Sequence, residues 1–344
     1  MAYLIGIHRE SHRKSAVYQD KYIRILEYNE IPYVLLDANQ HDFWERVGML
    51  SHFIYRWEHY EDEKQLARKI MPVIERQYKI ACFPDQATAW HYDDKISQYY
   101  LMRAAGFPFT QCWVFWSREA ALKWIKEAEL PLVAKLKGGA GSKNVQLLES
   151  RGKAVKIIRR MFGRGRYPSS IDRNKLSPVR EIMHAGGNIL RLLRGEALRD
   201  TWILEKNYVL FQRYLPENRF DTRVTVIGSR AFAFRRMVRA NDFRASGSGV
   251  IDYGVKEIDP RCISLAFRVS RAMNFQTMAY DFIFNIQGEP EFCEYSYTFL
   301  DHAVYDCPGY WDESMNWHEG HFWPQYFQLV DLLGLPGLKQ PEIR

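Results

Sequence analysis

The chain has 344 residues, 47% of them hydrophobic and 15% aromatic, which is too long for one ordinary domain and enough for two or three units with real cores. No run approaches the ~20 apolar residues that a membrane-spanning helix needs, and five scattered cysteines (Cys82, Cys112, Cys262, Cys293, Cys307) form no Cys-x-x-Cys pair, so zinc is not expected and a reduced, cytoplasmic protein is. The net charge of +7 is concentrated: Arg151 to Glu205 holds 13 Lys and Arg against 5 acids, which leaves the rest of the chain close to neutral.

In chain order, Tyr3 to Ile7 is apolar and turns charged at His8 and Arg9, a first strand and not a signal peptide. Asp20 to Glu30 carries Ile23, Leu26 and Tyr28 near helical spacing, Pro32 to Leu36 reads as a second strand, and Ser51 to Tyr55 as a third. Asp62 to Tyr78 reads as a helix with Leu66, Ile70, Val73 and Ile74 on its stripe. This alternation predicts a small parallel α/β domain over residues 1–90. No Gly-x-Gly-x-x-Gly follows the first strand, which argues against a dinucleotide site there.

From about residue 91 the pattern changes. Asp93-Asp94-Lys95 opens a helix to about Ala105, stopped by Gly106 and Pro108; Gln111 to Phe115 is a strand, and Ser117 to Glu129 a helix with a serine N-cap. Leu132 to Lys137 is a strand running into Gly138-Gly139-Ala140-Gly141-Ser142-Lys143. That stretch lacks Walker spacing, yet its glycines would let backbone N–H groups approach phosphate oxygens. Lys135 stands among Leu132, Val133, Ala134 and Leu136, where an ammonium costs desolvation unless an anion pairs with it. The basic segment looks largely helical, broken at Gly163, Pro168, Pro178 and Gly186-Gly187; it suits recruitment of an anionic substrate, or else is a solvated helix face.

Tyr208 to Leu215 is a further strand, followed by two hairpins. Asp221 to Ile227 and Arg230 to Val238 turn at Gly228-Ser229, a type II′ pattern that sets Arg236 opposite Asp221 with Arg223 one pleat along. Met278 to Phe284 and Glu291 to Tyr297 flank the turn residues Asn285 to Pro290, and a turn centred on Gln287-Gly288 puts Asp281 directly opposite Glu294. Both acids have apolar neighbours, and like charges opposed on a sheet repel unless something positive lies between them. A magnesium ion held by both carboxylates and by substrate phosphates answers this; a solvated face on which the charges coexist is the alternative. His318 and His321 lack the spacing of a zinc helix motif and read as structural.

The order of these parts, from Lys95 through Lys135, the glycine stretch, the 208–216 strand and Arg223 to Asp281 and Glu294, resembles the ATP-grasp superfamily of the carboxylate–amine ligase type. The resemblance covers most of the chain from about residue 90, and the leading unit resembles the Rossmann-like domain that precedes that fold. It implies an α+β protein: a pre-ATP-grasp α/β domain over 1–90, then an ATP-grasp domain over 91–344 with a glycine-loop lobe at about 110–150, a basic insert at about 151–205 and a catalytic lobe at about 206–344. It implies ATP and Mg²⁺ as cofactors. Lys95 and Lys135 map onto the lysines that touch the ATP phosphates, and Gly138, Gly139, Gly141 and Ser142 onto the loop that folds over them. Gln212, Arg213, Tyr214 and Leu215 map onto the strand that cups adenine, although the family often has Glu where Arg213 stands. Asp281 and Glu294 match the magnesium ligands, with Ser296 where Asn is usual. Arg223 matches an arginine aimed at the phosphate or acyl group, Arg236 shares its hairpin, and Arg244 opens Arg-Ala-Ser-Gly-Ser-Gly, similar to a substrate loop.

The expected activity is therefore an ATP- and Mg²⁺-dependent ligase that joins an anionic, small-molecule or glycan-linked carboxylate to an amine through an acyl phosphate. The alternatives are an ATP-grasp kinase acting on a hydroxyl or phosphate, and a non-catalytic ATP-binding regulator. Nucleic acid is not expected, since no zinc, helix-turn-helix or RNA-module signature accompanies the basic segment. The oligomeric state is left open, a homodimer included.

Overall fold

The computed structural model describes residues 4–9, 13–139, 144–166, 168, 204–238 and 249–342. β1 (Ile5–His8), β2 (Tyr33–Leu36), β3 (His52–Ile54) and β4 (Ala81–Phe83) form a parallel sheet in the order β2-β1-β3-β4. α1 (Arg13–Tyr28), α2 (Phe43–Val47) and α3 (Glu61–Arg76) connect them. This is the alternation read from the sequence, with α1 beginning at Arg13 and a short fourth strand added. In α3 the buried apolar positions are Ala67, Ile70, Met71 and Ile74, whereas Val73, expected on the stripe, is 37% exposed. Because the chain passes from β2 back across β1 to β3, the carboxyl ends of β1 and β3 border a topological switch point, where open α/β sheets hold ligands.

After α4 (Gln86–Ala89), the Asp94 carboxylate caps α5 (Lys95–Ala104) by accepting from Ile96 N and Ser97 N. β5 (Cys112–Phe115), β6 (Leu132–Lys135), β7 (Val145–Leu148) and β8 (Val209–Arg213) make an antiparallel sheet in the order β5-β8-β6-β7. α6 (Arg118–Trp124), capped by Ser117, is shorter than expected, and residues 125–127 continue it only as turns. α7 (Arg151–Met161), the first part of the basic segment, buries Ala154, Ile158 and Met161 in the same core as Ala121, Leu148 and Phe211. Two of its cations are used locally: Arg151 donates to the carbonyls of Lys126 and Ala128, and Lys153 pairs with Glu149 at 2.7 Å. Beyond residue 168 the segment lies outside the described residues until 204, and so does the expectation that it covers a substrate entrance.

The largest sheet contains β9 (Phe220–Ile227), β10 (Arg230–Met237), β11 (Ile251–Asp252), β12 (Thr277–Phe284), β13 (Pro290–Ser296), β14 (Gly309–Asp312) and β15 (Trp317–Glu319). Its order is β13-β12-β9-β10-β14-β15, with β11 paired to β10. α8 (Pro260–Met273) lies over it and buries Cys262, Ile263, Ala266 and Phe267 beside Val224 and Tyr280. That core also takes in Phe53, Ile70 and Met71, so the parallel sheet and the large sheet are packed together. After α9 (Asp301–Tyr305), α10 (Pro324–Leu333) returns to the first sheet, where Leu329, Val330 and Leu333 share a core with Ile5, Ile7 and Leu26. Gln328 Oε1, on α10, accepts from the hydroxyls of Tyr18 and Tyr22. Among the described residues no helix is long and apolar enough to cross a membrane.

Candidate active site

Asp281 and Glu294 are register partners, as expected, but by a different route. The loop between their strands spans Asn285 to Glu289, closed by Asn285 N donating to Glu289 O at 3.0 Å, so Phe284 pairs with Pro290 and Ile283 with Glu291. That register alone would place Asp281 opposite Cys293. A bulge between Phe282/Phe292 and Asp281/Glu294 absorbs Cys293 and restores the opposition. It also brings Cys293 and Glu294, neighbours in sequence, to the lining of one cleft, while Phe292 and Tyr295 on either side stay buried in the core.

The other hairpin matches its expected geometry: Arg236 pairs with Asp221 and Arg223 with Phe234, and the positive φ of 54° at Gly228, with none at Ser229, is the type II′ signature. Side chains from the two hairpins then meet. Arg223 donates to both oxygens of Asp281 at 2.7 and 2.8 Å, Arg236 to both oxygens of Asp221 at 2.7 and 2.6 Å, and Arg236 Nη2 also reaches Asp281 Oδ2 at 2.7 Å. Lys95 meets Glu294 at 3.1 Å. The positive charge expected between the opposed acids is therefore supplied by protein cations, and a metal is not needed to neutralise them. Burial pushes the Asp281 carboxyl up, but Arg223 and Arg236 outweigh it and hold the group below the usual range. Asp221 is raised, chiefly by burial and against Arg236, with the charge of Asp281 adding to the rise.

Lys95 also donates to Gly139 O at 2.8 Å, and Gly139 N donates to Asp93 Oδ1 at 2.7 Å, while Asp93 Oδ2 accepts from Lys64 at 2.9 Å. The base of the glycine stretch is thus pinned between α3, α5 and β13. Gly139 has a φ of 95°, which side chains rarely adopt, so the backbone demands glycine here; a Cβ would also displace the Asn144 amide, whose Nδ2 lies 2.4 Å from that position. Gly138 borders the same region; Gly141, Ser142 and Arg244 lie outside the described residues. Lys135 finds a sulfur and not a carboxylate as its nearest partner, Cys293 Sγ at 3.6 Å. Burial opposes its charge, Cys293 and Glu294 favour it, and the net shift is upward.

Two clefts meet at this cluster. A cleft of about 100 Å³ is lined by Lys135, Gln212, Arg213, Tyr214, Leu215 and Cys293. A larger one of about 440 Å³ is lined by Arg56, Tyr92, Arg223, Ser296 and Thr298. Asp281, Arg236 and Glu294 line both. Gln212 is buried, its amide donating to Cys112 Sγ and Cys293 O, and Arg213 is paired at two points with Glu291.

The sequence matches no family model and no curated protein. The structure is similar to a RimK-domain ATP-grasp protein from Sphaerobacter thermophilus at 16% identity, over 85% of this chain and 90% of that one, with a TM-score of 0.50. It is similar to D-alanine–D-alanine ligase from Bacillus anthracis complexed with ATP at 12% identity, over 86% of each chain, with a TM-score of 0.53. For biotin carboxylase from Campylobacter jejuni the identity is 12%, the coverage 98% of this chain and 72% of that one, and the TM-score 0.57. This chain has the ATP-grasp fold.

An ATP-grasp site implies magnesium, and the oxygens present fit an ion that arrives with nucleotide phosphates. A carboxylate accepts at about four positions, and guanidinium N–H groups take three on Asp281, leaving one on Oδ1. The Glu294 side chain is 37% exposed, and its ion pair among the described residues is with Lys95. Ser296 Oγ shares a hydrogen bond with Thr298 Oγ1 at 3.1 Å, which in turn meets Tyr92 OH at 3.0 Å, so this hydroxyl is partly engaged. One or two carboxylate oxygens with the remainder from phosphates and water is the usual magnesium set.

Sequence reasoning passed over three residues at or beside these two clefts. Asp93 was read only as a helix opener; because Asp94 already serves as the cap, the adjacent acid was left over for another task. Cys293 was taken as a strand neighbour, and a bulge has no sequence signature at an apolar Phe-Cys step. Arg56 follows the apolar run 53–55 directly, and a charge at that point of a strand was the available signal.

Proposed function

We propose that this protein is an ATP- and Mg²⁺-dependent carboxylate–amine ligase. The observation that carries the reading is the shared wall: Asp281, Arg236 and Glu294 border both the small cleft beneath the 209–215 strand and the larger cleft beside the parallel sheet. In this reading the nucleotide takes the small cleft, adenine lying along Gln212 to Leu215, with its phosphates reaching Lys135, Lys95 and the glycine stretch at Gly138 and Gly139; Gly141 and Ser142 belong to it as expectations from the sequence. The acid takes the larger cleft. Magnesium, held by Asp281 and Glu294 with Ser296 nearby, would neutralise charge on the transferring phosphoryl group.

The γ-phosphorus breaks its bond to the β-bridging oxygen of ATP and bonds to a carboxylate oxygen of the substrate. An amine then attacks the acyl carbon, the C–N bond forms, phosphate leaves, and the amine nitrogen gives up a proton. Arg223 and Arg236 are preorganised by Asp281 and Asp221, and their planar donors suit the oxygens of an acyl phosphate. Arg244 belongs to the same reading as an expectation from the sequence.

Hydroxylamine in place of the amine tests the reaction. With ATP, Mg²⁺ and a panel of amino acids, sugar acids and phosphorylated sugars, the protein should release ADP, phosphate and a hydroxamate from the accepted acid. A stable phosphorylated product without hydroxamate would make it a kinase, and nucleotide binding without turnover across the panel would make it a regulator.

A further inference from the structure

Arg56 stands two residues after the end of β3, at the switch point of the N-terminal sheet, and lines the 440 Å³ cleft together with Glu58 and His59. Its side chain is only 4% exposed, its guanidinium carbon sits 3.9 Å over the Tyr18 ring, and Nη1 donates to Glu58 Oε1 at 3.0 Å. Among the described residues neither Nε nor Nη2 has a hydrogen-bond partner; burial seals Nε off from the cleft, which leaves Nη2 as the donor that a ligand there can meet. Arg223 and Arg236, in the same cleft, are each held by a carboxylate at two points, so Arg56 differs from them in keeping one edge of its fork unused. A guanidinium carries five N–H donors in a planar fork, and leaving a buried donor unpaired is costly unless something else accepts from it. Burial works against its charge, but nearby Tyr18, Glu58 and Tyr297 more than offset this, so Arg56 remains a cation.

We propose that Arg56 binds a second oxyanion of the acid substrate, a carboxylate or a phosphate, remote from the carboxylate that is phosphorylated. The substrate class is then an acid with at least two anionic groups: one placed at the Arg223–Arg236 cluster, the other at the carboxyl ends of the parallel strands. This rests on the ligase reading of the two clefts. Glu58, paired at Nη1, partly neutralises the same guanidinium and so weakens its hold on a second anion.

The test uses the full chain saturated with a non-hydrolysable ATP analogue and Mg²⁺, so that nucleotide phosphates fill the small cleft, and titrates inorganic phosphate and glutarate by calorimetry. At least one probe should bind the unaltered protein, and the tighter of the two names the group. Arg56→Met should weaken that probe by roughly tenfold or more, and Arg56→Lys by less, since the charge survives but the fork does not. Glu58→Gln, which removes the competing charge, should tighten it. Equal affinity in Arg56→Met, or no binding of either probe to the unaltered protein, overturns the proposal. Thermal unfolding shows whether Arg56→Met folds; if it does not, Glu58→Gln decides, and unchanged or weaker binding there overturns the proposal. Binding of the ATP analogue is measured first. Its absence defeats the ligase reading by itself, and the probe titrations repeated without nucleotide still judge Arg56.

Discussion

Asp281 is held by three guanidinium contacts, and this changes what its removal does. Opposed only by Glu294, an amide at that position would relieve repulsion; among arginines, it strands buried cations. Asp281→Asn should therefore abolish ATP turnover and also cost about 3–5 kcal/mol in chemical denaturation. Glu294→Gln, at a more exposed position with one lysine partner, should abolish turnover with little change in stability. Equal stability losses in the two variants would contradict this contrast. The pairing of the acids was legible in the sequence because strand alternation and turn residues fix register. The opposition of Arg236 and Asp221 was legible for the same reason, but Arg223's partner was not, since Arg223 meets Asp281 only once β9 lies beside β12. Two buried histidines give a second expectation at this scale. Burial pushes His8 and His91 down to about 4, and both ring nitrogens of His91 lack a partner among the described residues. The unfolded chain takes up these protons near pH 6.5 and the folded one near 4, so stability is undiminished above 6.5 and falls as pH drops between those values. Each should withdraw up to about 3 kcal/mol by pH 4. His91→Leu should flatten the acid side of a stability-versus-pH curve and raise neutral stability by roughly 1–3 kcal/mol, because two unpaired polar atoms leave the core.

Among elements, the β12–β13 hairpin shows where local signals end. The sequence marks its turn through Asn285 and Gly288, but not how many residues the loop uses, and the bulge offsets the difference. If Cys293 is the extra residue, deleting it leaves Asp281 opposite Glu294 and Phe292 in the core on an uninterrupted ladder. The deletion variant should fold and keep a cooperative thermal transition, which is unusual for a residue lost from mid-strand. Loss of folding would show that the bend itself is needed. α7 shows a different limit. Its charge drew attention to solvent, while Ala154, Ile158 and Met161, its buried side, carry the packing. Charge reports the outer face of a helix and says little about what the inner face meets. The small parallel unit was legible because its strands and helices alternate within ninety residues, β4 excepted.

At the scale of the molecule, the two clefts share one charged wall because three packed sheets converge on it, an arrangement that no local pattern encodes. The order of motifs pointed to the fold where their spacing could not. The return of α10 to the first sheet was equally hidden, since the residues that meet there are some three hundred positions apart. That return has a consequence for synthesis. The amino-terminal strands leave the ribosome first, yet Ile5, Ile7 and Leu26 lack part of their cover until Leu329, Val330 and Leu333 have been made. A nascent chain arrested before Pro324 should therefore remain protease-sensitive across its first eighty or so residues, and release of the completed chain should protect them. The parallel sheet thus stays unfinished until α10 has been made, and that helix acts as a timer that ends the sheet's exposure to chaperones and proteases.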